Sequence, residues 1–186
     1  IDHPNDISYE NTPIVIPSIK GEVTFNNVSF KYTDTGKNVL KDISFTAKQG
    51  KTIALVGLSG AGKTTLINLI PRFYNVTNGN ITIDGNSLND IELKSLRSQI
   101  SIVPQEDIIF RGTISENVRY GKKKEDVKES DIVNALKLAN AWEFIEPLQR
   151  GIYEKVGDKG RLLSGGQKQR ISIARAILND PKILIL

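Results

Sequence analysis

The stretch Gly57-Leu58-Ser59-Gly60-Ala61-Gly62-Lys63-Thr64-Thr65 combines residue types and spacing that define a chemistry. It fits the pattern Gly, four residues, Gly-Lys-Thr that cradles the phosphates of a nucleotide. Gly57, Gly60 and Gly62 let the backbone turn tightly and approach a ligand with no Cβ in the way. The loop N–H groups then converge into an anion nest. Lys63 supplies a point charge for the β- and γ-phosphates, and the Thr64 hydroxyl is a donor for Mg²⁺. The candidate phosphate-binding residues are therefore Gly57, Ser59, Gly60, Ala61, Gly62, Lys63, Thr64 and Thr65.

Such a loop works only between a strand and a helix. Thr52-Ile53-Ala54-Leu55-Val56, apolar and partly β-branched, predicts the strand, and Leu66-Ile67-Asn68-Leu69-Ile70 predicts the helix. A helix start adds unpaired N–H donors and a partial positive charge, which favour an anion. Upstream, Val23, Phe25, Val28 and Phe30 predict a strand interrupted by a bulge near Asn26-Asn27. Val39 to Ala47 predicts a second strand, and Ile81-Thr82-Ile83 before Asp84-Gly85 a third with a turn. Thr33-Asp34-Thr35-Gly36 and Gln49-Gly50 read as turns. Three prolines at 4, 13 and 17 mark residues 1–20 as an extended linker.

Beyond Leu88 the pattern turns helical. Short helices are expected over Ile91–Arg97 and Thr113–Gly121, with a strand at Ile100–Val103 stopped by Pro104. Ile132, Ala135, Leu136 and Ala139 form one apolar stripe at helical spacing within Asp131–Ala139. Ala141 to Ile145 continues it, with Trp142 and Phe144 as packing residues. Ser164 to Leu178 is the clearest helix, stopped by Asn179-Asp180-Pro181, and Ile183–Leu186 reads as a final apolar strand.

Composition narrows the chemistry. The 186 residues carry 39% hydrophobic and 25% charged residues, which is ordinary for a globular domain. The net charge of +4 is scattered. The run Lys122-Lys123-Lys124, followed by Glu125 and Asp126, reads as a solvated loop, so nucleic acid is not an expected partner. With no cysteine there is neither a disulfide framework nor a thiolate metal site. The single histidine, His3, lies in the lead-in and is not a candidate base. No apolar run reaches the length of a membrane span.

Leu163-Ser164-Gly165-Gly166-Gln167 opens the clearest helix. Ser164 can cap it, and the two glycines leave N–H groups open to an anion. With the loop at 57–65, this string resembles the signature motif of ABC transporter nucleotide-binding domains, and Arg170 to Ala176 resembles their signature helix. The resemblance covers nearly the whole chain. It implies an α/β fold: a P-loop NTPase core with an antiparallel β-subdomain and a helical signature subdomain, incomplete at the C-terminus. It implies domains at 21–186, with the helical subdomain at about 106–178, behind a linker at 1–20. Tyr32 sits where the family places an aromatic that stacks on adenine, and Gln105 matches a glutamine that meets Mg²⁺ and the attacking water. Val156-Gly157-Asp158-Lys159-Gly160 and the stretch from Gln105 to Gly121 resemble the exporter branch, closest to bacterial homodimeric multidrug or lipid exporters.

The resemblance further implies ATP and Mg²⁺ as ligands, with Thr64 and Gln105 near the metal. It implies a second nucleotide-binding domain, head to tail, whose Leu163, Ser164, Gly165, Gly166 and Gln167 close on the ATP held by the first. A transmembrane domain on the same polypeptide would place the site at the cytoplasmic face of the membrane. In the family an aspartate and the general-base glutamate follow the strand at Ile183–Leu186, so no catalytic residue is expected within these 186 residues and the parent, not the fragment, is the expected ATPase. Loss of such a base costs on the order of 10²- to 10⁴-fold in rate. Soluble ABC-type ATPases of DNA repair or translation share both motifs; the exporter-like 156–160 segment and the proline-bearing linker count against them. A P-loop GTPase or kinase would leave the second motif unexplained. A regulatory nucleotide-binding module remains open for the 186 residues taken alone.

Overall fold

The computed structural model describes residues 12–33 and 35–186; His3, the first eleven linker residues and Asp34 of the expected turn lie outside this range. The chain is mixed α/β and divides into two compact units, Ile1–Gln99 and Ile100–Leu186.

The first unit is built on an antiparallel sheet. Strands β1 (Val23–Phe30), β2 (Leu40–Ala47), β3 (Asn78–Ile83) and β4 (Asn86–Ser87) lie in the order β2-β1-β3-β4. In β1, Val23 and Phe25 face the core opposite Ala47 and Phe45 on one side and Ile83 and Ile81 on the other. Phe25 and Phe45 stack with ring centroids 4.7 Å apart. The expected bulge is present: register shifts fall between Phe25 and Val28 and between Asn26 and Ser29, and Asn27 takes φ 47°. The extra residue lets Val28 and Phe30 both reach the core. Only glycine fits across from it, because a Cβ on Gly79 would lie 2.3 Å from the Asn27 carbonyl oxygen. Asp84 and Gly85 turn β3 into β4 with successive positive φ of 50° and 81°, as a two-residue hairpin requires. The Asp84 carboxylate accepts from the N–H groups of Lys20, Gly21 and Glu22 at 2.6–3.1 Å, which ties the lead-in to this turn.

Helix α1 (Lys63–Leu69) follows the glycine loop, and α2 (Leu93–Arg97) closes the unit. Helix α2 starts two residues later than the expected Ile91. Glu92 is its N-cap, with extended φ/ψ and a carboxylate accepting from Ser95 N, while Ile91 bridges to Ile14. The expected strand over Thr52–Val56 is not formed. Residues 51–58 have no ladder partner among the described residues and are exposed, Val56 at 93%. A β-branched, apolar run becomes a strand only where another edge takes its N–H and C=O groups, and no strand of its own unit does so here.

The second unit pairs β5 (Ile100–Ile102) with β6 (Ile183–Ile185) in parallel, Ile100 opposite Ile183 and Ile102 opposite Ile185. Helices α3 (Ile114–Val118), α4 (Glu129–Leu138), α5 (Trp142–Ile145) and α6 (Gly165–Leu178) enclose a common core. The stripe Ile132, Ala135, Leu136, Ala139 is buried as its spacing predicts, and Trp142 and Phe144 pack against that core. Fully burying a side chain such as Leu136 or Ile171 contributes about 1.5–3 kcal/mol. Lys122 and Lys123 are exposed, as a solvated loop requires. Among the described residues no helix is long and apolar enough to cross a membrane.

Candidate functional site

The glycine loop enters α1 through Gly62, the N-cap, at φ 87°. Both the backbone and its surroundings demand glycine there: a Cβ would lie 2.8 Å from Leu40 Cδ2 and 3.1 Å from the Val39 carbonyl oxygen. Gly60 also has positive φ, at 80°. Lys63 curls over the loop, its Nζ donating to the carbonyls of Gly57 at 2.7 Å and Leu58 at 2.8 Å. Its charge is thus held against two loop carbonyls, and the next residue, Thr64, is exposed. Thr65 is buried, and its Oγ1 lies 2.8 Å from the Tyr32 hydroxyl. Tyr32 is therefore brought to the loop, with its ring half exposed.

The second string lies in the other unit. Ser164 caps α6: its Oγ accepts from Gln167 N at 3.3 Å while Gln167 Oε1 accepts from Ser164 N at 2.9 Å. Because Oγ serves as acceptor in the cap, its own proton remains available to an incoming oxyanion. A Cβ on Gly165 or Gly166 would meet nothing within 4 Å, so the approach to the first turn is open. Leu163 is half-buried and anchors the turn on the helical core. Gln105 is exposed in a bend after Pro104.

Electrostatics separates these two helix starts from others in the chain. Helices α1 and α6 carry no acidic residue in their first turn or at the N-cap; α2 also has none in its first turn, but its N-cap Glu92 places a carboxylate there, accepting from Ser95 N. By contrast, α3 and α4 place Glu116 and Asp131 there, each accepting from the N-cap N–H. A carboxylate in the first turn neutralises the positive end of a helix and would repel a phosphate. The two helices opened by glycine-rich strings keep that end uncompensated.

Two residues lie within stretches that the resemblance covers, but their individual roles carried no signal in the sequence. Asn117, buried, fastens the segment after Gln105: Oδ1 accepts from Phe110 N at 2.8 Å, and Nδ2 donates to the carbonyls of Phe110 and Thr113. Arg175 of α6 reaches the same segment, its Nε donating to Asn117 O and Nη1 to Ile108 O, both at 2.8 Å, and lies over the stacked rings of Phe110 and Tyr120. Burial lowers the pKa of its guanidinium, with Tyr120 and Asp107 opposing the shift.

Residues 40–186 match the family model described as ABC transporter. This chain belongs to that family. It is 50% identical over 168 residues to a Bacillus subtilis protein assigned to multidrug export, the ATP-binding/permease protein YgaD, covering 90% of this chain and 29% of that one. It is 49% identical over 167 residues to a Staphylococcus aureus ATP-binding/permease protein of the same assignment, covering 90% of this chain and 28% of that one. Among solved structures it is similar to a bacterial Atm1-family ABC exporter with ATP bound, at a TM-score of 0.83 and 38% identity, covering 94% of this chain and 30% of the exporter. The chain thus spans less than a third of each of these relatives.

Proposed function

We propose that these residues form the ATP-binding domain of an ABC exporter, whose ATP binding and hydrolysis drive movement of a substrate across a membrane. The observation that carries the reading is the pair of uncompensated, glycine-led helix starts at α1 and α6. Lys63 and the loop amides neutralise one side of the triphosphate, with Gly57, Ser59, Gly60, Ala61, Gly62 and Thr65 shaping the cradle and Tyr32 meeting the base. Ser164, Gly165 and Gly166 of a second copy offer a hydroxyl proton and free N–H groups to the γ-phosphate, with Leu163 and Gln167 holding the turn in shape. Each half-site surrounds only part of the charge, so the nucleotide joins two domains head to tail and its hydrolysis lets them part.

The donor set suits Mg²⁺ that arrives with the phosphates. No cluster of three or more carboxylate, histidine or cysteine side chains occurs among the described residues, and the exposed Thr64 hydroxyl and Gln105 amide are hard oxygen donors. Thr64 and Gln105 would hold the ion, which supplies charge neutralisation on the β- and γ-oxygens. We place residues 1–20 as the linker from a transmembrane domain on the same polypeptide, 21–186 as the nucleotide-binding domain and about 106–178 as its helical part. The site then faces the cytoplasm. ATP hydrolysis is assigned to the full-length protein.

Complementation tests the composite site. In the full-length protein, Lys63→Ala and Ser164→Arg each remove both sites of a head-to-tail pair. A mixture of the two variants regains one intact site, because the Lys63 of one copy meets the Ser164 of the other. Restored Mg-ATP-dependent association of the domains is expected. A mixture as inert as either variant alone refutes the shared site.

A further inference from the structure

Tyr32 is held from three directions. Its hydroxyl meets Thr65 Oγ1 at 2.8 Å. Its ring makes edge-to-face pairs with Phe30, at 4.9 Å and 85°, and with Tyr74, at 5.2 Å and 89°. Tyr74 also touches Phe30, at 5.6 Å and 51°. Yet neither tyrosine is a core residue: Tyr32 is 52% exposed and Tyr74 43%. Both rings are thus solvent-accessible, and Tyr32 is tied through its hydroxyl to Thr65 at the end of the phosphate loop.

The segment bearing Tyr74 is anchored far more firmly than an exposed loop needs. Arg72 takes a left-handed backbone, φ 53°, and is 2% exposed. Its Nη1 donates to Asn89 O at 2.9 Å and its Nε to Asn75 Oδ1 at 3.0 Å. Arg97 grips the same segment from α2, donating to Pro71 O at 2.9 Å and Arg72 O at 2.7 Å, with its guanidinium 5.3 Å from the Phe73 ring centroid. Phe73 N donates to Asn68 O, which joins the segment to the end of α1. Burying a guanidinium is costly unless its donors are met, so this fixing of residues 71–75 sets one orientation for the side chain that follows.

We propose that Tyr74 is a positioning residue for the nucleobase: its T-shaped pair with Tyr32 fixes the half-exposed Tyr32 ring in the orientation that meets a purine. The physical basis is the ring quadrupole, which makes an edge-to-face pair resist rotation of either partner. Turning Tyr32 away gives up two such pairs and the hydroxyl contact to Thr65. The proposal rests on the assignment of Tyr32 to the base.

The test compares Mg-ATP with inorganic tripolyphosphate, which has the phosphates and no base, by calorimetry on the full-length protein. Tyr74→Ala is expected to weaken ATP binding roughly 3- to 10-fold, the range that one aromatic pair supplies, and to leave tripolyphosphate binding unchanged. Tyr74→Phe retains wild-type affinity, because the ring and not the hydroxyl does the holding. In a Tyr32→Ala background, Tyr74→Ala has no further effect. An ATP affinity unmoved by Tyr74→Ala, an equal loss for both ligands, or a loss that persists without Tyr32 each overturns the proposal while leaving the phosphate site standing. Wild-type protein that bound neither ligand would overturn the site assignment and this proposal with it.

Discussion

Lys63→Ala isolates the charge held against the loop carbonyls. In the ligand-free structure Lys63 already donates to two neutral carbonyls, of Gly57 and Leu58. Binding a triphosphate therefore exchanges acceptors, and the full strength of two new bonds is not gained. A hydrogen bond with one ionised partner is roughly twice as strong as a neutral one, so the two carbonyl contacts of Lys63 are already charge-assisted and the gain on binding is the attraction of the phosphate charge. That gain is about 2–3 kcal/mol, between the roughly 1 and roughly 4 kcal/mol of an ion pair in water and near a protein surface, or about 30- to 150-fold in Kd. The cost to folding is far smaller: the contact is exposed, worth less than about 1 kcal/mol, and alanine is a good first-turn helix residue. Calorimetric titration with Mg-ATP, paired with urea unfolding of the ligand-free protein, measures both terms. An unchanged Kd would remove Lys63 from the site. A loss matched by an equal loss of folding free energy would make it a structural lysine, and a loss of 10⁴-fold or more would show that the carbonyl contacts contribute nothing to the balance.

Asn117→Ala removes four side-chain hydrogen bonds, to Phe110 N and O, Thr113 O and Arg175 Nη2, from a residue that is 1% exposed. It is expected to cost about 3–5 kcal/mol in urea unfolding, because most of the abandoned partners stay partly buried. Ser172→Ala has the opposite sign. The Ser172 Oγ is buried and has no hydrogen-bond partner, so alanine is expected to leave stability unchanged or raise it by up to about 1 kcal/mol, and a clear drop in Tm would reveal a partner for that hydroxyl. Tyr153 donates to Glu129 Oε2 at 2.8 Å, and this bond, with the carboxylate charge, raises its pKa. Its stabilising share is thus complete below the ordinary tyrosine range and lost as pH rises past the raised value. Ultraviolet titration should show Glu129→Gln returning Tyr153 toward ordinary ionisation, and no change would separate the two groups.

What was legible in the sequence was local. The spacing of Gly57, Gly60, Gly62 and Lys63 specifies a loop because each residue acts on its own neighbours. The Asn26-Asn27 bulge announced itself by breaking a two-residue alternation, and Ile132, Ala135, Leu136 and Ala139 by sharing one helical face. What stayed hidden depends on partners far along the chain. Gln99 donates to Ile16 O and accepts from Ile19 N, some eighty residues earlier, and Asp84 collects the N–H groups of Lys20 to Glu22. Neither leaves a periodic trace. Nor does the burial of Arg72, which composition alone would place at the surface. The misjudged strand at Thr52–Val56 has the same origin: its residues favour extended backbone, but a ladder is a property of two segments, and one of them is not visible in the other's composition.

The second unit adds a mechanical point that neither motif states alone. Helix α6 begins at the Ser164 turn and, eleven residues and about 16 Å later at 1.5 Å per residue, presents Arg175 to the segment that follows Gln105. That arginine donates to Ile108 O and Asn117 O and covers Phe110 and Tyr120, while Asn117 locks the same loop through the backbone of Phe110. A loop held by a flexible, solvated side chain would absorb a displacement of the helix. One held by a half-buried guanidinium with fixed fork geometry is stiffer, because rotating the fork breaks three hydrogen bonds and both ring contacts together. The Ser164 turn and the loop from Ile108 to Tyr120 are thus joined through α6 and its Arg175 side chain.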